Sequence, residues 1–234
     1  MKFIILLLFS MNSFSSEIIT YIQKKRNKNI NIRTDIYLKI KKFGKEDISK
    51  SFKVTFEKKE KVQKLLVEVT SPIDLSGIKN LIIRNEDGSF HNWLRLKNGS
   101  IKRMKPRLKC KSLYGSEFSC EDIYFALFKK PQFLKSESKK EHIVGELSFV
   151  GSLKKYRSNF RIDNYWPDNI QLLTPFGKTF KNFQFSDYIK IGNQWVVQKI
   201  SVENIRNGKV STLMLKNTKL NSQLDDNFFD PETF

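Results

Sequence analysis

Residues 30–41 read I-N-I-R-T-D-I-Y-L-K-I-K. Ile30, Ile32, Thr34, Ile36, Leu38 and Ile40 alternate with Asn31, Arg33, Asp35, Tyr37, Lys39 and Lys41. Successive side chains of a strand point to opposite faces, so this pattern predicts a long strand with one dry face and one wet face. Gly44 ends it. The same period returns at Phe52, Val54 and Phe56, and again at Leu65, Val67 and Val69, with Lys58–Lys61 turning between them. Strands adjacent in sequence and joined by short turns tend to pair. Ile36, Leu38, Val54, Phe56, Leu65 and Val67 are therefore expected on one concave side, either lining a cavity or filling a core.

Strands continue at Lys79–Arg84, Phe90–Leu96 and Ile101–Met104, with turns at Asp87-Gly88 and Asn98-Gly99, two favoured hairpin pairs. Pro106–Ser119 has no clear period and reads as a loop, and Glu121–Phe128 reads as a short helix. Lys129–Glu141 reads as a charged linker too short to separate domains. Strand rhythm resumes at Ile143–Val150, Tyr156–Ile162, Ile170–Leu173, Lys178–Ile191, Gln194–Glu203 and Lys209–Leu220. The acidic, aromatic tail Leu224–Phe234 reads as a packed turn of helix. The fold class is mainly β: a single curled antiparallel sheet of about 11 strands, an incomplete barrel with a few short helices over its concave face. A sheet with one apolar face must cover that face, by curling or by packing on helices. Trp93, Trp166 and Trp195 lie in or beside strands, where aromatics suit a half-buried pleat, and Trp93 is placed with the lining residues.

The N-terminus bears on the compartment. Lys2 precedes an apolar run from Phe3 to Met11, then small and polar residues to Ser16. This is the pattern of a secretory signal, with Ser13 and Ser15 at the small positions and cleavage expected after Ser15. The run is too short for a bilayer of ~30 Å. It has no Cys, so lipid modification through a cysteine is not expected. Residues 16–234 are then one domain, which opens on a short helix over Ser16–Arg26. Cys110 and Cys120 can close a small loop in an oxidising compartment. The formal charge of +19 would suggest nucleic acid, but export argues against that; two readings stay open, a lysine-rich composition with no selected partner and attraction to anionic surfaces such as phospholipid headgroups.

No motif for chemistry emerges. The sequence lacks a nucleophile elbow, a phosphate-binding glycine loop, a dinucleotide fingerprint and an H-E-x-x-H pair. His91 and His142 read as ordinary strand or loop histidines, and Glu121 and Asp122 as charge at a helix N-terminus. No cofactor, metal site or catalytic group is expected.

Five stretches, taken in order, carry a resemblance. They are S-P-I-D-L-S-G at Ser71–Gly77, G-S-E-F-S-C-E-D-I at Gly115–Ile123, F-S-D-Y-I-K-I-G-N-Q-W-V-V-Q-K-I at Phe185–Ile200, L-M-L-K-N-T-K-L-N at Leu213–Asn221 and the closing D-N-F-F. Together they resemble the LolA-like outer-membrane lipoprotein-sorting proteins, in particular their large uncharacterised bacterial branch. The chain departs from the pattern at Lys97-Asn98, where a Pro is frequent, and at Cys120, where an aromatic is common. The resemblance implies an open β-barrel with helices over a hydrophobic concave face. Gly115, Phe118 and Ile123 would belong to the lid. It further implies a periplasmic carrier for a lipid or the acyl chains of a lipoprotein, with an inner-membrane lipid exporter among its partners. The alternative is a non-enzymatic adaptor docking on such an exporter or on an assembly complex.

Overall fold

The computed structural model describes residues 29–42, 44–105, 112–119, 121–122, 131–139, 141–149, 154–161 and 166–234. Residues 1–15, expected to be a signal, the Ser16–Arg26 segment, Cys110, Cys120 and Ile123 lie outside them. Thirteen strands form one antiparallel sheet. They are β1 (Ile30–Lys41), β2 (Ile48–Lys59), β3 (Val62–Ser71), β4 (Lys79–Arg84), β5 (Phe90–Arg95), β6 (Ile101–Met104), β7 (Pro131–Lys139), β8 (His142–Phe149), β9 (Lys155–Arg161), β10 (Pro167–Leu173), β11 (Thr179–Ile191), β12 (Gln194–Asn204) and β13 (Lys209–Leu220).

The order across the sheet is β6-β5-β4-β3-β2-β1-β13-β12-β11-β10-β9-β8-β7. Each half is a meander of hairpins. The halves meet at a central seam where β1 pairs with β13, with Ile36 opposite Leu215 and Leu38 opposite Leu213. The sheet curls but does not close, because β6 and β7 are its two edges.

This order fixes the two ends of the β6–β7 connection. All neighbours are antiparallel, so counting outward from β1 in both directions makes β6 and β7 run the same way. The chain leaves β6 at the lower end and must return to the upper end, where β1 finishes, before β7 begins. The connection is therefore longer than a turn, and its described residues 112–119 are here called the strap.

The turns expected at Asp87-Gly88 and Asn98-Gly99 are present, each one residue wider than a two-residue hairpin. Gly88 N–H donates to Asn85 O at 3.0 Å and Gly99 N–H to Leu96 O at 2.9 Å. Both glycines have positive φ, 84° and 81°, a region most residues avoid. The charged segment Lys129–Glu141 is not a linker: it supplies β7, an edge strand. The tail after Asn221 forms turns rather than helix. Short helices over the concave face are not seen among the described residues beyond the helical start Glu121–Asp122.

Two apolar layers result. On the inner face, Leu38, Ile40, Phe52 and Val69 form one cluster, and Phe118, Leu147, Tyr156, Phe160, Leu172, Phe183 and Val202 another, with Leu213 packed against both. On the outer face of β3–β6, Leu66 and Leu81 pack under Phe229 and Phe234 of the tail. Arg95 Nη1 donates to Thr233 O at 2.9 Å and to Phe234 O, fastening the tail end.

Candidate functional site

The inner face is built by register. Phe52 stands opposite Ile36 and Val69, Val54 opposite Val67, and Phe56 opposite Leu65, so Ile36, Leu38, Val54, Phe56, Leu65 and Val67 share one face. Leu38 and Leu65 are buried, while Ile36, Val54, Phe56 and Val67 stay half-buried. Trp93 is separated from them. It pairs with Leu81, which pairs with Leu66, and alternation puts all three on the opposite face. There Trp93 packs in the cluster under the tail, so its lining role is corrected to packing on the outer face. The sequence alone left it ambiguous because both faces of β3–β5 are apolar.

Residues 112–119 of the strap lie over the upper part of the inner face. Tyr114 (φ 52°) and Gly115 (φ 83°) are both left-handed and reverse the chain. Leu113 N–H donates to Phe118 O at 2.7 Å, and the buried Ser116 hydroxyl donates to Leu113 O at 2.6 Å and accepts the Phe118 N–H at 3.2 Å. This tight loop drives Phe118 into the cluster of β8–β12 and sets Tyr114 against Phe52, ring centroids 4.6 Å apart. Gly115 is exposed at the upper end, and its carbonyl accepts from Lys209 Nζ at 2.6 Å.

A polar clasp holds the strap down. Glu117 N–H donates to the buried Ser211 hydroxyl at 2.9 Å. The Glu117 carboxylate takes Asn204 Nδ2 at 2.8 Å and lies 3.1 Å from Lys209 Nζ. Lys181 Nζ donates to Glu117 O at 2.6 Å and to Asp122 Oδ2 at 2.8 Å. The Lys181 and Asp122 side chains are only 8% and 6% exposed. Ser119 and Asp122 cap each other, Ser119 N–H donating to the carboxylate and Asp122 N–H to the hydroxyl, which starts a helical turn. Beside them, burial raises the Tyr156 hydroxyl far above its ordinary pKa, and the Asp122 and Glu121 charges add to the effect. Among the described residues Asp122 Oδ1 is buried without a hydrogen-bond partner.

Lys181 is the residue that sequence reasoning missed. The signal was present: in T-F-K-N-F-Q-F, Lys181 has the parity of Phe183 and Phe185, a charge on the apolar side of a strand. The histidines lie apart from the clasp. His91 contacts Arg103 at 2.8 Å on β5, and His142 contacts Asp168 at 2.7 Å at the lower end. Among the described residues no group of three or more His, Cys, Asp or Glu could hold a metal ion, and no helix is long and apolar enough to cross a membrane.

An open, curled antiparallel sheet with an apolar inner face, covered in its upper part by residues 112–119, defines the class. Solved structures share the fold. A domain classed with outer-membrane lipoprotein sorting from Vibrio parahaemolyticus aligns at 22% identity and TM-score 0.72, covering 91% of this chain and 94% of that one. A DUF1329 family protein from Desulfovibrio piger aligns at 19% and 0.73, over 92% and 95%. A LolA superfamily protein from Nitrosomonas europaea aligns at 18% and 0.62, over 86% and 90%. The fold is thus the LolA-like one. A family model described only as an uncharacterized protein matches residues 61–234, and the chain belongs to that family. No curated protein matches the sequence.

Proposed function

We propose that the protein is a periplasmic carrier, delivered by the leader 1–15, that holds a lipid or the acyl chains of a lipoprotein on its inner face. The observation that carries this reading is the uneven covering of that face. The strap closes the upper part, whereas Ile36, Val54, Phe56 and Val67 remain half-buried in a continuous apolar row. Leu38 and Leu65 floor the same row. Covering such a row with hydrocarbon is worth ~0.8 kcal/mol per buried CH₂. The role needs no catalytic group. The LolA-like fold of the solved relatives supports the same reading, and an inner-membrane lipid exporter is the donor it implies.

The test is Val67→Trp, read by thermal melts and by displacement of a fluorescent fatty acid. On an open face the variant keeps its stability and loses displacement. A parent that binds no fatty acid, together with a variant destabilised by the ~1–3 kcal/mol of an overpacked core, would overturn the carrier and leave the adaptor.

A further inference from the structure

Among the described residues, four of the six exposed large apolar side chains gather at one end of the sheet. The antiparallel order places the β1–β2, β3–β4, β5–β6, β10–β11 and β12–β13 connections together at the upper end. Lys97 Nζ, from the β5–β6 turn, donates to Ile73 O of the β3–β4 connection at 2.6 Å, as that placement requires. Ile73 is 85% exposed and Phe176, at the β10–β11 tip, 91%, with Ile48 and Ile205 near half at the same end. The described lower-end connections expose no large hydrophobic residue. Charge divides the same way. The upper rim carries exposed Lys41, Lys42, Lys45, Lys97, Lys178 and Arg206 against Glu46, Asp47 and Asp74, a net positive end, while the lower turns carry Lys59 and Lys61 against Glu60, Glu86, Asp87 and Glu141, a net negative one.

Tips at this exposure contribute nothing to the core, so folding does not account for them. Apolar tips set among lysines match a bilayer interface, whose headgroups attract cations and whose acyl boundary accepts Ile and Phe. β3 and β11 lie about 24 Å apart along the sheet, so Ile73 and Phe176 would touch down at two separated points and fix the tilt of the sheet. We propose that this upper rim docks on the surface of a membrane rich in anionic phospholipid, with Ile73 and Phe176 entering the interface. The inference rests on the carrier reading, because it names the surface at which cargo would be exchanged.

The experiment is co-sedimentation of the full mature chain with phosphatidylglycerol–phosphatidylethanolamine vesicles, against phosphatidylcholine vesicles. The parent should prefer the anionic vesicles and be released by salt. Ile73→Ser with Phe176→Ser should lower partitioning about tenfold. Lys42→Glu with Lys178→Glu should do the same, whereas the charge-matched pair Lys59→Glu with Lys61→Glu at the lower end should change it by less than about twofold. All six positions are exposed, and unchanged melting temperatures exclude misfolding. No binding by the parent, undiminished binding by the Ser pair, or equal loss in the two Glu pairs would each overturn the docking surface. Fatty-acid displacement on the same samples separates the two claims. Displacement without vesicle binding removes the rim alone, and vesicle binding without displacement removes the carrier alone.

Discussion

Lys181 is a cation on the apolar face of β11, balanced by Asp122 and the Glu117 carbonyl. A buried pair of this kind adds little to net stability, because desolvation offsets attraction, but removing one member strands the other. Lys181→Met is therefore expected to cost about 3–5 kcal/mol in urea unfolding. Adding Asp122→Asn should recover most of that, since the amide oxygen can still accept the Ser119 N–H. A loss well below ~1 kcal/mol would mean that the clasp does not pin the strap. At this scale the sequence was half legible. The G-S-E-F-S-x-E-D segment marked the strap through its resemblance, and alternation put six residues on one face. Trp93 and Lys181 escaped, because the parity of one strand says which side chains agree and not which face its neighbours present.

The secondary-structure elements divide by what holds them. Strands with an apolar side, such as β1 and β4, were readable to the residue. β7 was not, because its P-Q-F-L-K-S-E-S-K has almost no alternation. An edge strand is served by polar, charged side chains that discourage pairing with another chain, so its sequence looks like a loop. The tail is the opposite case: its aromatic residues were visible, but not the face they cover. Phe228, Phe229 and Phe234 shield Leu66, Leu81 and Trp93, and Leu81 has no exposure at all. A chain ending at Ser222 should lose about 3–6 kcal/mol, taking ~1.5–3 kcal/mol for each buried large side chain, and should bind a hydrophobic dye. Unchanged urea midpoint and dye signal would show the tail to be dispensable.

For the whole molecule, hairpin turns made the two meanders predictable, but nothing local announces that the first and last strands are neighbours. That seam joins Ile32 to Leu220 and Lys41 to Val210. It sets a timetable. Contacts so distant in sequence must wait until the intervening chain has been brought in, and sheets rich in them fold slowly. Hairpins such as β2–β3 can form early, whereas β1 keeps an unpaired edge until Lys209–Leu220 arrives. Val69→Ala, inside an early hairpin, is expected to slow refolding in a stopped-flow chevron. Leu213→Ala, at the seam, should chiefly hasten unfolding. The opposite assignment would mean that the ends nucleate. A chain that emerges from its N-terminus first therefore carries the free edge of β1 as an open template until the second set of hairpins is complete. Its greatest exposure to mispairing comes just before the last strand emerges.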